Sequence, residues 1–235
     1  FDINNIMTTA SEKNNVFTLN GHKTMVLNGS NADIIIIPAR TSGKQCDDKG
    51  ITMFAVSSKT DGISIQSYPT VDGLSAADVK LNNVKLNKDK LIGQLNDGFA
   101  VFENSISLAT LAICAEGMGI IQTMHDITVE YSKNRSQFGL PIGSFQALQH
   151  RMVDTMTACE QTRSLLYWSV MKNLNKAENA HKAISALKYQ IGTAGIHVAK
   201  EAVQLHGGMG VSWEVDIAHY FKRITAIDLT FGNAD

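Results

Sequence analysis

Residues 134–150 read NRSQFGLPIGSFQALQH, and how this stretch is read decides the fold. Upstream, apolar or small residues recur at three- and four-residue intervals, as in Ile106, Ala109, Ile113, Gly117, Ile120 and Ile121. That spacing gathers one face of a helix. Downstream the same period resumes, while Gly139, Pro141 and Gly143 break it in between. The stretch is therefore a connection between two long helices. The pattern predicts a first helix from Gly98, a second over about residues 144–174 and a third over about 178–205, stopped by Gly207 and Gly208. A shorter helix follows Trp213. Long amphipathic helices with short connections must bury their stripes against one another, which predicts a bundle.

The first 92 residues have a different period. VFTLNGHKTMVL, ADIIIIPAR, ITMFAVSS, GISIQSY and DVKLNNVKL are short strand-like runs, and Asn20-Gly21, Asn28-Gly29, Asp61-Gly62 and Asp72-Gly73 are turn signals among them. The expected class is α+β: an antiparallel β domain over residues 1–92 followed by an up-down four-helix bundle over 93–235.

Composition narrows the function. With 44% hydrophobic residues in 235, the chain can fill a core. Its 21 basic residues balance 22 acidic ones, which gives no reason to expect nucleic acid or an anionic membrane as partner. Cys46, Cys114 and Cys159 lie far apart, as free thiols in a reducing cytoplasm do. No uninterrupted apolar run reaches spanning length, since LATLAICAEGMGII contains Glu116, so membrane insertion is not expected. His206 and His219 lack companions at ligand spacing, so no metal is expected.

Two stretches offer chemistry. In the first, Arg135 and Phe138 combine a fork-shaped cation, suited to phosphate, with a flat aromatic face; a helix-terminal Arg offsetting the dipole is the plainer alternative. The second is AVQLHGGMGVSWE, residues 202–214. Gly207, Gly208 and Gly210 allow close backbone approach and Gln204 can bond an adenine or ribose edge, though a glycine-rich helix stop would look the same.

Taken together, the two resemble the acyl-CoA dehydrogenase family. RSQFGLPIGSFQALQH is similar to that family's R-x-x-F-G-x-x-I-x-x-F-Q segment and QLHGGMG to its Q-x-x-G-G-x-G segment. NGHKTMVLNG resembles the hairpin bordering the flavin ring, and DGFAVFENSISLATLAICAEGMG the start of the first bundle helix. The resemblance implies FAD as cofactor and an acyl-CoA thioester as substrate. An electron-accepting flavoprotein and a homo- or hetero-oligomer, a dimer or tetramer, are the implied partners. Arg135 and Phe138 would hold the pyrophosphate and adenosine, lined by Gln137, Ile142 and Phe145. Gln204, Gly207 and Gly208 would come from a neighbouring subunit. Met25 and Leu27 stand where many members carry Trp and Thr beside the flavin. The family also has a T-E-P-G loop and a helical domain ahead of the position of FDINN, so the substrate pocket is expected to be incomplete in these residues.

The resemblance also implies where a catalytic base should be, and here the sequence departs from the family. Most members end the segment after the glycine turn in an aromatic followed by the basic Glu. In LTFGNAD, residues 229–235, the best match sets Phe231 on the aromatic and Gly232 on the base, with the register open by one residue. The alternative base position of some members, on the first bundle helix, matches Ala109. Asp235 and Glu116 are the remaining weak candidates; Glu116 is expected to be partly buried and paired with Arg163 or Lys188, and Asp228 to point to another face. The expectation is a subunit of a heteromeric acyl-CoA dehydrogenase without its own base; an acyl-CoA oxidase or a non-catalytic structural partner are the alternatives.

Overall fold

Along VFTLNGHKTMVL the side chains of Phe17 and Leu19 are buried while the residues between them are less so, the period-two signature of a strand with one face on a core. The computed structural model describes residues 2–234. The chain divides into two compact units, Phe1–Ile106 and Ser107–Asp235.

In the first unit the strands are β1 (Thr9–Lys13), β2 (Val16–Leu27), β3 (Ile34–Arg40), β4 (Ile51–Ser57), β5 (Ile63–Pro69), β6 (Ser75–Asn87) and β7 (Leu91–Ile92). They form one sheet in the order β5-β6-β2-β1-β3-β4-β7. All neighbours are antiparallel except β1 and β3, which meet in parallel at Thr9 and Arg40. The sheet is therefore mostly antiparallel, as expected, with one parallel meeting. Its core gathers Phe17, Leu19, Ile37, Phe54, Val56, Val79 and Val84, with the Phe17 and Phe54 rings edge to face at 5.1 Å.

Asn20-Gly21 does not turn the chain. β2 runs straight through it with a register shift against β6, and the Asn83 N–H donates to Asn20 Oδ1 at 2.8 Å. Gly21 is required because a Cβ there would stand 2.7 Å from Thr8 Oγ1. The true hairpin turn is Asn14-Asn15, both in the left-handed region (φ 54° and 60°) that a two-residue turn of this hand demands.

The second unit contains most of α1 (Phe99–Asn134), then α2 (Gln146–Leu174), α3 (Ala180–His206) and α4 (Ile217–Leu229). The connection after α1 is a small hairpin of β8 (Ser136–Gln137) and β9 (Leu140–Pro141). By length and composition α1 is apolar enough to cross a membrane, although Glu116 interrupts its apolar run. Its Cys114, Met118, Ile121 and Met124 are nevertheless buried in a bundle core shared with Leu187, Ile191 and Val198 of α3 and Ile224 and Ile227 of α4. Glycines set the spacing: a Cβ on Gly117 would meet Ile191 Cγ2 at 2.8 Å, and one on Gly195 would meet Ile224 Cγ1 at 2.5 Å.

This packing makes two glycine replacements differ in sign. Gly195→Ala overpacks a closed seam and should cost about 1–3 kcal/mol. Gly119→Ala, on an exposed face of α1 with nothing within 4 Å, should gain about 0.5–1 kcal/mol from helix propensity. Urea unfolding of both variants checks this, and equal signs would contradict the packing account.

Candidate functional site

The hairpin arm after α1 leaves its polar and aromatic groups outside. Arg135 continues the helix by donating its N–H to the Tyr131 carbonyl, and its own carbonyl accepts the Ile142 N–H at 2.8 Å. Phe138 and Gly139 form the two-residue turn with φ of 55° and 79°. A left-handed phenylalanine is strained by about 1–2 kcal/mol, yet its ring is 93% exposed and meets only the edge of Phe145, 6.3 Å away. Gln137 is exposed as well, while Ile142 is buried and anchors the arm.

α3 ends beside this arm's root. His206 is buried, stacks on Tyr131 at 4.2 Å and donates through Nδ1–H to the Ala202 carbonyl, 2.8 Å away. Burial pulls its pKa below the ordinary value, so the ring is neutral near pH 7. The stack brings the C-terminal ends of α1 and α3 to the same end of the second unit. Gln204 is exposed there. Gly207 closes the helix at φ 60°, which accounts for a glycine at that position. A Cβ on Gly208 would meet nothing within 4 Å, and its φ is not left-handed. Nothing among the described residues fills the space where a Gly208 side chain would stand.

In the first unit, Met25 and Leu27 are exposed at a bulge of β2. Between Lys23 and Val26 the register against β6 shifts, and Met25 adopts φ 53°. Asp78 holds the bulge: its Oδ1 accepts the Met25 N–H at 3.3 Å and the Tyr68 hydroxyl at 2.9 Å. Lys23 lies in the inward row opposite Val79, and desolvation lowers its pKa to about 8.

The C-terminal segment is held from α3. Phe231 and Gly232 follow α4 with φ of 60° and 103°. The Lys188 ammonium, buried to 5% exposure, donates to the Asp228 carbonyl at 2.7 Å and the Gly232 carbonyl at 2.6 Å. Glu116 is exposed and its carboxylate is gripped by the Arg223 fork, at 2.6 Å and 2.8 Å. This corrects the expected burial and pairing: Arg163 turns to Glu160 and Gln122, and Lys188 to carbonyls. Ala109 is half-buried, and Asp235 lies outside the described residues. Lys188 and Tyr131 were missed as organising residues; a lysine inside the small and apolar run AISALKYQIG was the available signal. No cluster of three potential metal ligands occurs among the described residues.

Comparison with known proteins covers both units. Residues 1–84 match the middle domain of acyl-CoA dehydrogenase and residues 96–235 match its C-terminal domain. The chain is 32% identical over its whole length to the 3-(aryl)acrylate reductase of Clostridium sporogenes, covering 62% of that protein. It is 29% identical to the caffeyl-CoA reductase-Etf complex subunit CarC of Acetobacterium woodii, over 94% of this chain and 59% of the relative. The butyryl-CoA dehydrogenase structure from Megasphaera elsdenii superposes with a TM-score of 0.91 at 26% identity, over 98% of this chain and 61% of that one. The chain thus spans about three fifths of the length of these relatives.

Lys23 is the group whose removal reads out the environment of the bulge. Its depressed pKa means the charged form is penalised in the fold below about pH 8, and the penalty fades as pH rises toward 10.5, where the unfolded chain also loses the proton. Lys23→Met should therefore stabilise the protein at pH 7 by about 1–2 kcal/mol, allowing for partial exposure. The advantage should shrink between pH 8 and 10.5. Denaturation at pH 7 and pH 10 tests this; an advantage that grows with pH would contradict it.

Proposed function

The chain belongs to the acyl-CoA dehydrogenase family, and on that footing we propose that it takes part in FAD-dependent α,β-desaturation of an acyl-CoA thioester, as a subunit without a catalytic carboxylate of its own. The domain assignment is residues 1–92 as the middle β domain and 93–235 as the bundle. The observation that carries the cofactor assignment is the open turn at Gly207 and Gly208, two successive exposed glycines where a Cβ would meet nothing within 4 Å. An exposed guanidinium at Arg135 and an exposed, conformationally strained Phe138 ring at the other root of the Tyr131–His206 stack add to it. These groups fit dinucleotide binding shared between subunits: a cation for the pyrophosphate and a ring face for the adenosine of one cofactor, and an uncluttered glycine turn for close approach to a neighbour's.

FAD, when bound, supplies a hydride acceptor for the substrate Cβ. The residues of this chain contribute binding and positioning. Arg135, Phe138, Gln137, Phe145 and Ile142 bind and orient the cofactor, and by the family resemblance the main chain around Met25 and Leu27 borders a flavin ring. Gln204, Gly207 and Gly208 close over the adenine end of a neighbouring subunit's cofactor, which makes an oligomer part of the proposal. One relative is named as a caffeyl-CoA reductase, which suits the same chemistry run toward the saturated thioester. The Etf complex in one relative's name supports an electron-transferring flavoprotein as partner. The expected location is the cytoplasm.

The absence of a base is supported at four positions. Phe231 and Gly232 cannot accept a proton, Ala109 cannot either, and Glu116 is committed to Arg223. A paralogous subunit is then the source of the carboxylate. The test is acyl-CoA-dependent bleaching of the flavin by the full-length protein, alone and with that paralogue. Bleaching should be about 10² to 10⁴ times faster with the partner, the usual contribution of a general base. Fast bleaching by the protein alone, abolished by Asp235→Asn or Glu116→Gln, would show that the base resides here. Failure to take up FAD in either form would overturn the cofactor assignment.

A further inference from the structure

Lys188 is a buried cation whose two hydrogen bonds both go to main-chain carbonyls of one short segment, a use of charge that core packing does not call for. The Asp228 carbonyl belongs to the last turn of α4, where carbonyls lack helical partners and a cation is favoured. The Gly232 carbonyl lies at the end of two successive residues in the left-handed region. One helical turn along α3, Gly192 faces the same segment. A Cβ there would stand 2.0 Å from Asp228 Oδ1 and 2.8 Å from the Ala234 Cβ. Lys188 and Gly192 thus present one face to residues 228–234, the first by donating to the backbone and the second by yielding room.

We propose that Lys188 and Gly192 form a seat on α3 that fixes the Phe231–Gly232 turn, and that Lys188 is a positioning residue for the reaction. The step from seat to reaction rests on the proposed function, in which this turn occupies the family's base position and so borders the acyl chain. Phe231 is a non-glycine residue held at φ 60°, a conformation costing about 1–2 kcal/mol that persists only where neighbours impose it. The lysine bonds bracket that residue on both sides. Burial pulls the Lys188 pKa down, and the charge of Asp228 opposes that fall; its Nζ satisfies two carbonyls at once. In a subunit without a carboxylate at the turn, the seat sets the shape of the pocket wall instead of aiming a base. The same seat would aim the base in any chain that carries a Glu at that turn.

The experiment is amide hydrogen exchange of the full-length, FAD-loaded protein with Lys188→Gln and, separately, Gly192→Ala. Charge-assisted hydrogen bonds contribute enough that losing them should speed exchange of residues 229–234 by about 10- to 100-fold. Exchange over the buried part of α1, residues 114–124, should change by less than about 2-fold in the same samples. With the paralogous partner present, each variant should lower the flavin-reduction rate at saturating acyl-CoA while leaving FAD affinity unchanged, a split that general loss of structure would not produce. Unchanged protection of 229–234 in both variants would overturn the seat. So would loss of protection throughout, including outright unfolding, because Lys188 and Gly192 would then be ordinary core residues. If the unmodified complex shows no bleaching, the functional reading fails while the exchange data still decide whether the seat exists.

Discussion

The close approach of α3 to its neighbours is the constraint on which the second unit depends. Gly195 lets Ile224 of α4 lie directly on the α3 backbone, and Gly117 of α1 does the same for Ile191. Without side chains at these points the helices interlock at short range, and Ile121, Leu187, Ile224 and Ile227 become fully buried. Dispersion and area burial gain from that proximity in proportion to contact. The geometry also decides where the chain goes after α4, because Gly192 continues the same small-residue face to the end of the seam. Only then can Asp228 settle against α3 and the Lys188 ammonium reach two carbonyls of the final segment.

From this seam the two chemically distinctive regions of the second unit follow. At the far end of α3 the Tyr131–His206 stack ties two helix ends together, so the arm bearing Arg135 and Phe138 and the turn bearing Gly207 and Gly208 emerge from one root. The exposed groups there gain little from the fold itself: Phe138 is strained and solvated, and Gly208 sacrifices a side chain without a steric reason. Features that cost stability without internal return are what a binding surface is expected to show. At the other end of the seam, the turn is held firmly but offers no proton acceptor at Phe231 or Gly232. Firm positioning of a turn and absence of a base on it are compatible in an assembly whose subunits divide the work.

Much of this was legible in the sequence because it rests on local periodicity. The helix spacing from Ile106 onward and the short strand-like runs IIIIPAR and ITMFAVS placed these elements within a few residues of their observed bounds. What escaped the sequence was non-local. Asn20-Gly21 has the dipeptide of a turn but lies within β2, since Thr8 packs where a side chain would be. The parallel meeting of β1 and β3 depends on sheet order, which no local pattern encodes. Glu116 was expected to turn inward because its sequence neighbours are apolar, yet its place on α1 faces out toward Arg223 of α4, more than a hundred positions away. Lys188 had the wrong partner assigned for the same reason: its true acceptors are carbonyls, which every residue has and no sequence motif marks.

The central claim is that this chain supports flavin chemistry without abstracting the substrate α-proton itself, and proton exchange measures that step apart from hydride transfer. Full-length, FAD-loaded protein would be incubated with a saturated acyl-CoA in deuterated buffer, and deuterium at Cα followed by mass spectrometry. The account predicts no incorporation above the buffer background with this protein alone, and incorporation once the carboxylate-bearing paralogue is added. Deuterium entering Cα with this protein alone would contradict it, because a base able to remove that proton would then have to lie within the chain.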